Sequence, residues 1–204
     1  MDECYEHTDL RWRLAQIPDT ACCRGLYLNN LDGSAQELGP EVLAAYRQFF
    51  QTYRFSAFRL YPVKDYLTRL VKLAQLNYGG PNIYRGIFDI HAKSPEAFRR
   101  TVLGRVTFDV LGVSFHTMVS LLKRGVSNSV NYMEFNAIRE GHNQYLIRFK
   151  NEYVYIEHAM AGALQGLANI SGVSIQQEIK LDDPFNGDIR IVVTERDQRS
   201  IAAP

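Results

Sequence analysis

Five histidines, His7, His91, His116, His142 and His158, are the side chains of this sequence best suited to ligate a metal or move a proton. No HExxH pair and no close His/Cys cluster occurs among them, so no metal centre is expected. His91, in NIYRGIFDIHAKSP, shares a helical surface with Tyr84 and Ile87 and stands beside Phe88. An imidazole at the edge of an apolar face can meet a bound molecule, or simply bond a backbone carbonyl. His116 stands at a similar edge near Val119. Arg105 and Asp109 are one helical turn apart and border Phe98 and Val102. They read as a partly buried ion pair or, more sharply, as an arginine able to take a carboxylate or phosphate. His91, Tyr84, Arg105 and His116 are the candidate ligand-binding residues. His7 and His142 fall in a tail and a turn and read as solvated.

His158 belongs to NEYVYIEHAMAGALQGLANISG, Asn151 to Gly172. At about 100° per residue, Ile156, Met160, Ala163, Leu164, Leu167 and Ile170 share one helical face. His158, Gln165 and Asn169 share the opposite face, with Gly162 beside them. Glycine inside a helix costs roughly 1 kcal/mol against alanine, so Gly162 and Gly166 imply close approach of another element or of a dimer partner. Gly162, Gly166 and His158 are therefore the candidate interface residues, and a protein partner or homodimer is expected.

Other chemistries are excluded by absence. There is no phosphate-binding loop, dinucleotide glycine fingerprint, nucleophile elbow or zinc-type cysteine pairing, so no catalytic residues are assigned and a non-enzyme is expected. Asp182 and Asp183 read as turn residues. A formal net charge of +1 gives no reason to expect nucleic acid. The sequence has no apolar run of the roughly 18 residues that span a bilayer, and its start is polar and unlike a secretory signal. The three cysteines, Cys4, Cys22 and Cys23, make a poor disulfide framework and fit a reducing cytoplasm. Cys22 and Cys23 read as buried or half-buried thiols.

The 204 residues fit one domain. Residues 1–13 read as a polar tail, 14–195 as an α+β domain (helical over 14–128, hairpin–helix–hairpin over 129–195), and 196–204 as a fraying tail. Helices are expected over ACCRGLYLNNLDGSAQEL, from Pro40, from Pro62 to Gly79–Gly80, from a Ser94 cap with Pro95 in the first turn, and over SFHTMVSLLKRGVSN. After Asn128 the period becomes alternating. One hairpin turns at Glu140-Gly141-His142-Asn143 and a second at DDPFNG, with the Asn151–Gly172 helix between them. The expected fold is a helical amino-terminal layer packed on an antiparallel sheet of two hairpins flanking a helix.

CCRGLYLNNL, LGPEVLAAYRQFF, YPVKDYLTRLVKLAQ, AFRRTVLGR and LLKRGVSNSVNY together resemble a family of uncharacterised proteins expanded as paralogues in myxobacteria, over approximately Leu14 to Thr194. That family is similar in fold to heme-nitric-oxide-binding domains, 4-vinyl-reductase-like domains and TRAPP subunits. The resemblance implies sensing, small-molecule binding or subunit contacts rather than one reaction. Heme in the gas-sensing relatives needs an axial histidine, a part His91 would take, and a Tyr-x-Ser-x-Arg motif that this sequence lacks. TRAPP subunits can carry an acyl chain on a cysteine, a part that Cys22 or Cys23 would take. The reading is a cytoplasmic, non-catalytic module that binds a partner protein or a small hydrophobic ligand, without a cofactor. A heme-binding sensor is the first alternative and an enzyme of unrecognised type the second.

Overall fold

The computed structural model of the chain describes residues 6–50, 54–100, 105 and 114–194. The amino-terminal layer runs α1 (Leu10–Gln16), β1 (Cys22–Arg24), α2 (Gly25–Glu37), α3 (Pro40–Phe49), β2 (Leu60–Pro62), α4 (Val63–Tyr78) and α5 (Ile83–Arg99). The second part runs α6 (Phe115–Ser129), β3 (Glu134–Arg139), β4 (Gln144–Lys150), a π-helical turn (Ile156–Met160) leading into α7 (Ala161–Ile170), β5 (Ser174–Asp183) and β6 (Asn186–Thr194). The chain is thus α+β, with an antiparallel sheet ordered β3-β4-β6-β5.

Local chemistry explains most boundaries. Pro40 opens α3, where its missing N–H goes unneeded. The Ser114 hydroxyl accepts the Thr117 N–H and caps α6. Gly79, at φ 75°, closes α4 in a conformation that costs other residues more. In the second hairpin, the Asp183 carboxylate accepts from the Phe185 N–H at 2.8 Å.

Three elements differ from the sequence reading. Cys22–Arg24 is a strand, paired antiparallel with Leu60–Pro62, and helix begins only at Gly25. Ser94 and Pro95 do not start a helix; they sit inside α5. Proline in a helix interior costs about 3 kcal/mol, which the packing of α5 along α7 outweighs. The Ser94 hydroxyl instead donates to the Ile90 carbonyl at 3.1 Å. Finally, Leu10 and Arg13, read as tail, belong to α1 and are buried. Arg13 donates to the carbonyls of Pro184 (2.9 Å) and Tyr153 (3.4 Å), so α1 is tied to the second hairpin.

Two apolar cores result. One gathers α2, α4 and α5 around Leu28, Leu67, Leu70 and Ile87. In the other, Met118 and Val119 of α6 and Leu164 and Leu167 of α7 cover Ile147, Ile189 and Ile191 of the sheet. Alternation along β4 and β6 aims every second side chain at the helices. The register sets Ile147 beside Ile189, and Ile189 beside Ile179.

Helices α5 and α7 join the two cores. A Cβ added to Gly162 would strike the Phe88 carbonyl, and one added to Gly166 would strike the Ala92 carbonyl and the Pro95 ring. The element facing both glycines is therefore α5 of the same chain. This corrects the assignment of Gly162 and Gly166 to a surface for a partner: backbone-to-backbone contact leaves no room for one. His158 is likewise engaged internally, stacked on Tyr84 with ring centroids 4.7 Å apart.

Candidate functional site

A cavity of about 170 Å³ lies between the two cores. Side chains from α2, α4, α5, α6 and α7, from β1, β3 and β4, and from the segments after α6 and β4 wall it. Most of the wall is apolar: Leu31, Leu122, Val126, Phe135, Leu164 and Leu167. An engineered apolar cavity of about 150 Å³ admits benzene, so this one has room for a molecule about the size of a single six-membered ring.

Polar side chains in the wall are Asn30, Ser34 and Ser94 together with Cys23, Tyr27, Tyr66, His91, Tyr132 and Glu152. His91 is fixed from both sides. Its Nδ1 donates to the Ile87 carbonyl one turn back at 2.9 Å, which leaves Nε2 as an acceptor for the Tyr66 hydroxyl at 3.0 Å. Burial lowers the imidazole to about 4, with the Ile87 bond opposing, so His91 is neutral at pH 7. Burial also drives the Tyr66 phenol well above its ordinary 10.

Glu152 precedes the π-helical turn and is 1% exposed. Its Oε1 accepts the Val154 N–H at 2.7 Å. Burial raises its carboxyl to about 8, while the Val154 N–H, the Arg13 charge and the Tyr132 hydroxyl pull the other way. At neutral pH it is mostly a carboxylic acid. Cys23, 2% exposed, is pushed by burial up to about 12 and stays a thiol, which makes it a poor nucleophile. No Lys, Arg or Asp lines the cavity among the described residues.

The wall is thus polar in places and carries little charge at pH 7. A charged guest would lose its hydration and meet no countercharge, a penalty of several kcal/mol. A neutral, mostly apolar guest with one hydrogen-bonding group would lose little, because phenols and a carboxyl await that group.

Of the four predicted ligand-binding residues, only His91 lines the cavity. Tyr84 packs outside it against His158 and edge-on to Tyr155 at 5.3 Å. His116 is exposed in the first turn of α6, its Nδ1 3.2 Å from the Tyr145 hydroxyl. Arg105 is exposed, and Asp109 lies outside the described residues. These three placements correct the predicted set: none of the three lines the cavity. Tyr27, Tyr66, Tyr132 and Glu152 were missed because they come together only through tertiary packing, whereas Cys23, named for an acyl chain, does line the cavity. The described residues hold no group of three or more His, Cys, Asp or Glu side chains suited to a metal ion, and no helix among them is long and apolar enough to cross a membrane.

Comparison with known proteins agrees with this architecture. Residues 16–183 match the family described as "Protein of unknown function (DUF2378)". No curated protein matches the sequence. Among solved structures, the chain is similar to a variant H-NOX protein from S. oneidensis in its Fe(II) ligation state, with TM-score 0.64 and 14% identity over 86% of this chain and 98% of that one. It is similar also to a variant H-NOX from T. tengcongensis, with TM-score 0.65 and 10% identity over 85% and 99%. A variant H-NOX from K. algicida gives TM-score 0.58 and 10% identity over 85% and 98%. At these identities the likeness is one of fold.

Proposed function

The chain belongs to the DUF2378 family, and we propose that it works as a sensor-type binding module that takes a small, neutral, largely apolar molecule into the cavity between its two cores. One observation carries this reading: α2, α4, α5, α6, α7 and the sheet all contribute side chains to the wall of this one cavity. A guest there touches both halves of the molecule, so its arrival can alter how they pack. The H-NOX fold supports a sensing role over a catalytic one. The protonated, hydrogen-bonded state of the polar side chains supports binding without reaction.

Heme is the guest that the fold likeness suggests, since one of these neighbours is an H-NOX protein in an Fe(II)NO ligation state and another bears on heme distortion in the H-NOX family. The described residues do not fit it. The Nε2 lone pair that an iron would need already accepts from Tyr66. Among the described residues no cation lines the wall to hold the propionates. A porphyrin, with four pyrrole rings, exceeds a cavity sized for one ring.

Native mass spectrometry of the protein as isolated from cells tests the proposal. A retained neutral species of small mass, lost on denaturation and absent from Ala163→Leu, which fills the cavity from α7, is the expected result. A stoichiometric heme mass, or a Soret band gained on adding hemin and lost in His91→Ala, would replace this reading with the heme one.

A further inference from the structure

β5 is the outer strand of the four-stranded sheet and, at ten residues, the longest of its four strands. The opposite edge strand, β3, is packed against α6. Among the described residues no strand pairs with this edge, and an edge this long presents a row of N–H and C=O groups that proteins cover or pair. The side chains on β5 say which. Ile179 and Leu181 are 37% and 39% exposed on the helix-facing side, although their neighbour Ile189 on β6 is fully buried. On the other side Glu178 and Lys180 are exposed and have no ion-pair partner among the described residues. Their cross-strand neighbours on β6 are engaged elsewhere: Arg190 with Glu140 at 3.5 Å, and Asp188 with Arg148 at 3.7 Å.

We propose that two copies of this chain pair antiparallel through β5 about a twofold axis at Ile179, joining their sheets into one of eight strands. This goes beyond the ligand-binding reading and does not depend on it. Pairing of identical strands is self-complementary only in certain registers. With the axis at Ile179, Glu178 faces Lys180 of the partner subunit and Lys180 faces Glu178 of the partner subunit. Ile179 then meets its own counterpart, and Leu181 flanks Gln177 of the partner subunit on the same side. Moving the axis to residue 178 sets glutamate against glutamate. Moving it to residue 180 sets lysine against lysine and Glu178 against Asp182. Axes between residues would set helix-facing side chains against solvent-facing ones. An axis at Leu181 would also set Lys180 against Asp182, but regular pairing there would have to run through the irregularity between Leu181 and Asp183. The exposed charges and that irregularity together select the Ile179 register, and the same contact covers the exposed isoleucine and leucine.

Sedimentation equilibrium of the intact chain over a concentration series tests this, using Glu178→Lys, Lys180→Glu and the double reversal. The wild type is expected to dimerise reversibly. Each single reversal turns two attractive pairs into two repulsive ones and weakens the dimer by roughly tenfold or more. The double reversal restores opposite charges and returns the dissociation constant to within about threefold of wild type. A wild type that stays monomeric, a dimer indifferent to the single reversals, or a folded double reversal that stays as weak as the singles would each overturn the proposal. Equal melting temperatures at a concentration low enough for every form to be monomeric separate loss of pairing from loss of fold.

Discussion

Helix α5 meets its surroundings in two contrasting ways. Toward α7 its backbone touches backbone, with the carbonyls of Phe88 and Ala92 occupying the space where Gly162 and Gly166 lack side chains. A turn away, His91 faces a cavity of about 170 Å³. Packing and emptiness thus sit side by side on one element, and the difference is instructive. The dense crossing fixes α5 against the carboxy-terminal half. The cavity beside it is a gap that α5, fixed by that crossing and by the His91–Tyr66 bond to α4, does not fill. Cavities lose packing contacts that neighbours could otherwise make, so one kept open by a rigid frame is a feature a guest can exploit.

The sharpest way to break this contrast is at the crossing. Gly162→Val forces a branched side chain into the Phe88 carbonyl and is expected to cost about 3 kcal/mol, or about 10 °C in melting temperature for a chain of this length. Calorimetry checks it; a variant melting with wild type would mean that α5 and α7 are loosely joined.

A smaller effect comes from the cavity wall and depends on pH. Glu152 keeps its proton to about 8 in the folded chain against an ordinary 4.5, so between those values the native state holds a proton that the unfolded chain has released. Stability from this group therefore falls as pH rises through that window. His91 titrates near 4 when folded and near 6.5 otherwise, so its contribution rises with pH between those values. The two slopes oppose each other up to pH 6.5, above which that of Glu152 is left. Glu152→Gln should flatten the decline between pH 6.5 and 8, a change on the order of 1–2 kcal/mol. Urea unfolding at several pH values measures it. An unchanged slope would show that Glu152 is ionised at neutral pH.

The smallest effect sharpens the contrast from outside. Gly125 lies in α6 with open space where a Cβ would go. Gly125→Ala should stabilise by about 0.4–1 kcal/mol, opposite in sign to any side chain at Gly162. A melting shift downward would contradict the assignment of helix there.

The order of elements was legible because the hydrophobic period changes from helical to alternating near Asn128, and because both hairpin turns carry their own chemistry. The helical glycines pointed correctly to a close neighbour, but only coordinates could say that it was α5. Pro95 misled, since a proline that begins helices elsewhere is tolerated inside one held firmly by packing. Glu152 could not be singled out: a glutamate after Asn151 reads as solvated until Tyr132, Val154 and Arg13 close over it. His91 was visible because Ile87 and Phe88 mark its helical face as apolar. Its phenol partner, Tyr66, is on another helix, and no spacing links the two.

Ligand-observed fluorine NMR with three single-ring probes, 4-fluorophenol, fluorobenzene and 4-fluorobenzoate, tests the uncharged cavity directly. At pH 7 the account predicts saturable binding of 4-fluorophenol, weaker binding of fluorobenzene, none of 4-fluorobenzoate, and loss of all binding in Ala163→Leu. Preferential uptake of the benzoate, or equal binding of the phenol to the filled variant, would contradict it.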